Sequence, residues 1–251
     1  MQMRGRFGTG IALPSVMRSS AAALVVGVLV GCGHGSASLP LRSRVAATMK
    51  PATAPPPVCR LPGGEEPNCS CDDGDCAAKL GVLYADDHRD GEARRLFERA
   101  CARGSAIGCN NLATFVLAGL SGPPDAAAAA RLFETACRHL DRSACYNLGV
   151  LYEDGEGVAR DAFVGAQLLQ QSCGMGMAHA CTALGILFAN GLTGIVDNQR
   201  ALESFARACD RGDGEGCTLL AERYARDLDQ ARRLLQRGCE AGDLHACQQI
   251  R

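Results

Sequence analysis

The sequence predicts an all-α solenoid of about five helix–turn–helix repeats, and three observations carry that prediction. Ten of the 15 cysteines form five pairs in which the second cysteine follows the first by eight residues. The first four pairs recur every 36 residues and the fifth follows after 30, a period typical of stacked helical repeats. Apolar residues on both sides of each pair recur at helical spacing. The pairs are Cys101 with Cys109, Cys137 with Cys145, Cys173 with Cys181, Cys209 with Cys217, and Cys239 with Cys247.

Helix boundaries can be placed from residues that keep the same register. Asp stands twelve residues before a first cysteine at Asp125, Asp161, Asp197 and Asp227, where its carboxylate can cap a helix N-terminus. Gly stands three residues after a first cysteine at Gly104, Gly176, Gly212 and Gly242, which suits a left-handed helix end. The predicted helix pairs are 77–87 with 91–103, 107–119 with 125–139, 143–154 with 161–174, 178–190 with 198–211, and 214–226 with 228–240, followed by a half-helix over 244–251.

Each cysteine pair is predicted to form a disulfide. Residues eight apart on one continuous helix lie about 12 Å apart, whereas a disulfide requires Cα atoms within about 7 Å. The chain must therefore reverse between the two cysteines, so that each bridge joins the end of one hairpin to the start of the next. Structural zinc needs four ligands, and each pair supplies only two. Histidine does not recur beside every pair, so we predict no metal.

Four further cysteines, Cys59, Cys69, Cys71 and Cys76, precede the array and allow three connectivities. The first A helix is one residue out of register, with Ala77 where a cysteine is expected and Cys76 as the nearest substitute. The eight-residue spacing then places the partner at 68 or 69 and favours Cys69–Cys76, which leaves Cys59–Cys71.

The N-terminus is typical of a secretory signal. Basic residues without any acid precede ten small or apolar residues at 21–30, and no apolar run reaches the roughly 20 residues of a membrane span. The following Leu29-Val30-Gly31-Cys32 resembles a bacterial lipobox, which implies cleavage after residue 31 and acylation of Cys32. An ordinary secretory signal with Cys32 left in a tail is the alternative. Gly33 in place of Asp favours the outer membrane by the sorting rule of such lipoproteins, facing the periplasm or the cell surface.

The predicted organisation is a lipoprotein signal peptide at 1–31, a tether at 32–68 and the repeat solenoid at 69–251. Seven of the ten prolines lie in 33–68, and such a segment acts as a partly extended spacer.

The stretch from Leu148 to Asp161 closely resembles the Sel-1-like repeat, a relative of the tetratricopeptide repeat. It carries the Leu-Gly-x-x-Tyr hallmark at 148–152 and Gly-x-Gly-Val-x-x-Asp at 155–161. The resemblance covers about 77–250 and implies a right-handed α/α superhelix. The added cysteine pairs resemble the secreted, cysteine-rich branch of the family, some members of which are described as β-lactam-binding or weakly β-lactamase-like.

No catalytic residues, metal ligands or cofactors are predicted. The chain has only two lysines, Lys50 and Lys79, and neither completes the Ser-x-x-Lys motif of serine penicillin-recognising enzymes. No Cys-x-x-Cys pair indicates a thiol oxidoreductase. The acidic cluster at 72–75 lacks the alternating ligands of a calcium loop. The 26 basic and 27 acidic residues do not form the basic footprint of a nucleic-acid-binding protein.

The sequence therefore predicts a non-catalytic interaction scaffold anchored to the bacterial envelope through its N-terminal lipid. Its partner is expected to be an unidentified envelope protein or peptide, held in a concave groove lined by the first helix of each repeat. Polar positions just after the second cysteines are the candidate contacts, and we expect them to be exposed: Asn110, Asn111, Tyr146 and Asn147. A generic hydrated face is the alternative at these positions, and a β-lactam-binding or weakly hydrolytic protein is the alternative function that the resemblance implies.

Overall fold

The computed structural model describes residues 74–224 and 227–250, and every regular element in these ranges is a helix. We call the first helix of each hairpin the A helix and the second the B helix. The A helices are α1 (Gly74–Asp86), α3 (Ala106–Ala118), α5 (Arg142–Asp154), α7 (Ala178–Ala189), α9 (Gly214–Arg223) and the short α11 (Leu244–Gln249). The B helices are α2 (Asp90–Ala102), α4 (Ala126–Arg138), α6 (Ala162–Gly174), α8 (Asn198–Asp210) and α10 (Leu228–Glu240). The fold is a right-handed α/α solenoid, as predicted.

The predicted capping residues begin and end the helices. The side chain of Asp125 accepts a hydrogen bond from the backbone N–H of Ala128 at 2.9 Å, and Asp161, Asp197 and Asp227 cap their helices in the same way. Such a cap stabilises a helix by about 1 kcal/mol. The four predicted glycines have φ between 82° and 94°, the region that favours glycine. Leu140 occupies the same position with φ 62°.

Five disulfides join neighbouring hairpins, and all five predicted pairings within the array are confirmed. They link Cys101–Cys109, Cys137–Cys145, Cys173–Cys181, Cys209–Cys217 and Cys239–Cys247, with Cα–Cα distances of 4.4 to 4.8 Å. Each bridge runs from the last turn of a B helix to the first turn of the next A helix. The sulfur atoms are therefore part of the packing between repeats.

The core is built where one large side chain of each B helix meets the A helix of the same hairpin. Phe97, Phe133, Leu169 and Phe205 occupy this position and are at most 1% exposed. A small residue on the A helix leaves room for the ring: a Cβ atom at Gly185 would lie 2.5 Å from Cε1 of Phe205. At this position a glycine on the A helix packs against the large side chain of the B helix, as also seen for Gly81 and Phe97.

The A helices lie on the concave side of the array. Consecutive A helices contact each other at α1–α3, α7–α9 and α9–α11, whereas no two described B helices make contact of similar extent. Cavities of about 250 and 320 Å³ separate α4 from α6 and α6 from α8. Because the B layer is more widely spaced, the array curves towards its A helices.

Several sequence predictions lie outside the described residues. They are the signal peptide at 1–31, lipidation at Cys32, the tether at 32–68, and the bridges that involve Cys59, Cys69 and Cys71. Cys76 is disulfide-bonded, and its pairing with Cys69 stays a prediction. Among the helices described here, none is both long enough and apolar enough to cross a bilayer.

Candidate binding face on the A helices

One row of side chains on each of α3, α5, α7 and α9 is the candidate binding face. Positions i, i+4, i+7 and i+11 of a helix share a narrow face. These rows contain most of the accessible residues of α3, α7 and α9, whereas the exposed Arg223 lies one position outside the row on α9. We call the four rows the inner strip. Its members are Ile107, Asn111, Thr114 and Ala118 on α3; Ser143, Asn147, Val150 and Asp154 on α5; His179, Ala183, Ile186 and Asn190 at α7; and Glu215, Leu219 and Glu222 on α9.

The inner strip is accessible at α3, α7 and α9 and closes at α5. Ile107, His179 and Glu215 are exposed, while Ile186 and Leu219 are half-buried. On α5 the residues Ser143, Asn147 and Val150 are buried, and only Asp154 at the helix end is exposed. The accessible face is therefore narrowest at the third repeat.

The four predicted contact residues are buried, so the expectation that they are exposed is wrong. Asn110 is 1%, Asn147 2%, and Asn111 and Tyr146 each 8% exposed. Asn111 and Asn147 belong to the inner strip. Asn110 and Tyr146 instead lie one position away, where an A helix faces its neighbour. Asn110 and Asn147 cover each other through the hydrogen bond between α3 and α5, and Tyr146 is part of the hydrophobic core of the following repeats.

Two of these asparagines carry polar atoms without a partner. The Nδ2 group of Asn147 donates to Oδ1 of Asn110 at 3.3 Å. The Oδ1 atom of Asn147 and the Nδ2 atom of Asn111 are buried and have no hydrogen-bond partner within the described part of the chain. Such atoms are uncommon, because each forgoes its hydrogen bonds to water. The strip therefore holds one acceptor and one donor at equivalent positions of adjacent repeats.

A polar junction that the sequence interpretation missed links α7 to α9. Asp213, which directly precedes α9, is 4% exposed. Its Oδ2 accepts a 2.6 Å hydrogen bond from the hydroxyl of Thr182 and lies 3.1 Å from Nδ1 of His179. Burial alone would raise the pKa of the Asp213 carboxyl, but the hydrogen bond and charge of His179 hold this pKa below its ordinary value. The junction therefore keeps an ionised carboxylate between two repeats.

The same connection recurs in the last repeat and gives the signal that could have revealed it. Thr218 donates to Asp243, which precedes α11. In both cases a Thr directly follows a second cysteine, and an Asp stands four residues before the next one. His179 completes the first of these junctions from the solvent side, since its side chain is about half exposed.

Carboxyl groups cluster where α5 ends. Burial raises the pKa of Glu153 to about 7, with a further contribution from the Asp154 carboxylate. Burial also raises the pKa values of Asp154 and Glu156. The Arg160 guanidinium opposes the shifts of Glu153 and Asp154 only in part, and its Nε donates to the backbone oxygen of Glu153 at 2.8 Å. Ionisation of Glu153 is therefore unfavourable in the folded chain.

Glu153→Gln is expected to stabilise the protein at pH 8 and to have little effect at pH 4. The folded-state pKa of Glu153 is raised, so its contribution to stability is complete below its unfolded pKa and is lost as pH rises to 7 and above. The loss amounts to at most about 3 kcal/mol and shrinks with solvent screening. Urea unfolding at both pH values measures it, with Glu203→Gln on the exposed face of α8 as the control. Equal stabilisation at both pH values would show that burial of the carboxylate is not the cause.

No group of three or more His, Cys, Asp or Glu side chains within 74–224 and 227–250 is arranged to hold a metal ion. The candidate site of this part of the chain is thus a face with hydrogen-bonding, apolar and acidic groups.

A comparison with family models matches the Sel1 repeat to five segments, 75–105, 106–139, 142–177, 178–213 and 221–243, which together cover more than half of the chain. The chain belongs to the Sel1 repeat family. Sel1 repeat proteins are generally scaffolds for protein–protein interaction. No match is found among curated protein sequences.

Solved structures with the same fold include three Sel1 or Sel1-like proteins. A Sel1 repeat protein from Oxalobacter formigenes has a TM-score of 0.67 at 20% identity, covering 71% of this chain and 77% of that one. A protective antigen of uropathogenic Escherichia coli with this fold has a TM-score of 0.62 at 24% sequence identity. The match covers 71% of this chain and 41% of the antigen. A Sel1 repeat protein from Klebsiella pneumoniae subsp. pneumoniae has a TM-score of 0.51 at 18% sequence identity. The match covers 70% of this chain and 91% of that one. The present chain matches only about two fifths of the antigen, and at these identities the likeness concerns the fold alone.

The five disulfides between hairpins of the described array indicate an oxidising, extracytoplasmic compartment. Neither the family match nor the neighbouring structures support the alternative of a β-lactam hydrolase.

Proposed function

We propose that this Sel1 repeat protein is a non-catalytic scaffold of the bacterial cell envelope, anchored through Cys32, that binds an extended segment of a protein partner along its inner strip. The observation that carries the proposal is the unpartnered donor on Asn111 and the unpartnered acceptor on Asn147. A peptide unit presents one carbonyl acceptor and one N–H donor, so the two asparagines complement a backbone irrespective of its side chains.

The burial of these side chains sets what binding requires. Asn111 retains 8% exposure at the strip, whereas Asn147 retains 2%. Because the Asn111 Nδ2 atom and the Asn147 Oδ1 atom are both buried, binding requires the A layer to open at α3 and α5 before a segment can contact them. Asn110 and Tyr146 support this arrangement from behind the strip, and Asn110 holds the Asn147 amide through its Oδ1.

Site-directed photocrosslinking in intact cells tests the proposal. A photoreactive phenylalanine at Thr114 or Ile186, both on the inner strip, is expected to capture a defined partner that appears in the membrane fraction. The same group at Arg131 on the outer face of α4 serves as the matched position and is expected to capture none. Asn111→Ala with Asn147→Ala should reduce the crosslink at least fivefold, because both backbone contacts are lost.

Two controls make this result interpretable. Asn198→Ala, an exposed asparagine at the start of α8, should leave the crosslink unchanged, and circular dichroism should show equal helicity in all variants. Cys32→Ala should release the complex from the membrane fraction. A crosslink from Arg131 alone, or one insensitive to the double asparagine substitution, would place binding elsewhere.

A further inference from the structure

The charges along the inner strip are of one sign. From α3 to α9 the strip contains three carboxylates, Asp154, Glu215 and Glu222, and no lysine or arginine. Within the described chain neither Asp154 nor Glu215 forms a salt bridge, and Glu222 contacts Arg223 only at 3.8 Å. Arg160 near Asp154, His179 near Glu215 and Arg223 beside Glu222 offset these carboxylates only in part. The strip itself therefore keeps a negative potential, which the low-dielectric walls of a concave face would concentrate.

The environment of Glu215 relieves its negative charge only in part. Burial raises the pKa of its carboxyl, and the carboxylates of Asp213 and Asp243 raise it further. His179 opposes the shift, but its Nδ1 is already directed to Asp213. An incoming cation would thus gain from Glu215 an interaction that His179 supplies only in part.

Apolar side chains lie between these carboxylates. Ala183, Ile186 and Leu219 are half-buried members of the strip and pack against the core of the last repeats. A purely polar ligand would leave them in contact with water. A segment with both cationic and apolar side chains can cover the whole strip.

We infer that the segment bound on the inner strip is a cationic one, with lysine or arginine side chains interspersed with apolar side chains. The inference rests on the proposed function and names its partner class. The unpartnered Asn111 and Asn147 atoms supply the backbone contacts, and the carboxylates at α5 and α9 supply the charge selection. Anionic partners, including nucleic acids and anionic lipid surfaces, are repelled by the same face.

Peptide binding to the purified, oxidised full chain tests the inference by fluorescence anisotropy. Three labelled ten-residue peptides alternate leucine with lysine, serine or glutamate. The lysine peptide is expected to bind at least tenfold more tightly than the glutamate peptide, and its affinity should fall as salt is raised from 50 to 300 mM because charge attraction is screened. A variant that combines Asp154→Asn, Glu215→Gln and Glu222→Gln should bind the lysine peptide at least tenfold more weakly.

A matched variant separates this effect from net charge. Glu98→Gln, Glu134→Gln and Glu203→Gln remove three exposed carboxylates from B helices and should change the affinity by less than twofold. Equal weakening by both triple variants would overturn the inference, since it would indicate attraction without a site. Charge-independent binding of all three peptides that is lost with Asn111→Ala and Asn147→Ala would also overturn it and would leave the proposed function standing. Lysine-peptide binding insensitive to both the asparagine and the strip-acid variants would overturn both.

Discussion

Replacing Cys173 and Cys181 together by alanine is expected to lower the free energy of unfolding by about 3 kcal/mol. A bridge that closes a nine-residue loop contributes roughly 2.6 kcal/mol in the chain-entropy description. The remainder is lost packing, because both sulfur atoms are almost completely buried. The Arg211 side chain adds to the effect, since its Nη1 lies 2.6 Å from the backbone oxygen of Cys173 and 3.0 Å from Sγ of Cys181.

The position of this bridge in the middle of the array predicts a second effect. Repeats interact only with their neighbours, so a weak central junction divides the solenoid into two cooperative units. Urea unfolding followed by circular dichroism should therefore change from one transition to two. Cys239→Ala with Cys247→Ala is the control, because this bridge secures only the short α11 and should leave a single transition. One transition with an unchanged midpoint in the central variant would refute the role we assign to the bridge.

Phe205→Ala is expected to destabilise the protein by about 4 kcal/mol, in the range found for fully buried aromatic residues. Phe205 is 1% exposed, and its ring covers Gly185, where a Cβ atom would lie 2.5 Å from the ring edge. Gly185→Ala should cost about 1–3 kcal/mol through this collision, although alanine is the better helix former.

A double-mutant cycle distinguishes this contact from general core damage. Phe205→Leu makes room for a methyl group, so Gly185→Ala should cost less in that background than in the original chain. Gly174→Ala is the matched control, because a Cβ at this helical glycine would meet no atom within 4 Å. Calorimetric or urea unfolding of the four proteins measures the coupling. Strict additivity of Gly185→Ala and Phe205→Leu would contradict the pairing.

The helices and bridges of the array could be predicted because they depend on local chemistry. The Asp caps, the glycines and the cysteine spacing each act within one turn or one junction, so the predicted and observed helix bounds agree within three residues, with the largest differences at the start of α1 and the end of α9. The resemblance of 148–161 to the Sel1 pattern adds the handedness of the superhelix.

The depth of the concave face could not be predicted in this way. Helical spacing shows which side of α3 or α5 carries Asn110, Asn111, Tyr146 and Asn147, but not how closely the next A helix approaches. The junction of Asp213 with Thr182 and His179 could not be predicted for a similar reason, since it joins residues about 30 positions apart. The predictions for Cys32, Cys59, Cys69 and Cys71 concern residues outside the described ranges and stay predictions.

The eight-residue bridges also bear on how such an array can change in length over evolution. In the region with a 36-residue period, deleting or duplicating 36 residues at any breakpoint leaves every cysteine of the paired set with a partner eight positions away. A cut within the segment from Cys101 to Cys109, rejoined at the corresponding point after Cys137, would bring Cys101 eight residues before Cys145. Duplication or deletion of one 36-residue unit thus lengthens or shortens this protein without leaving an unpaired cysteine during oxidative folding.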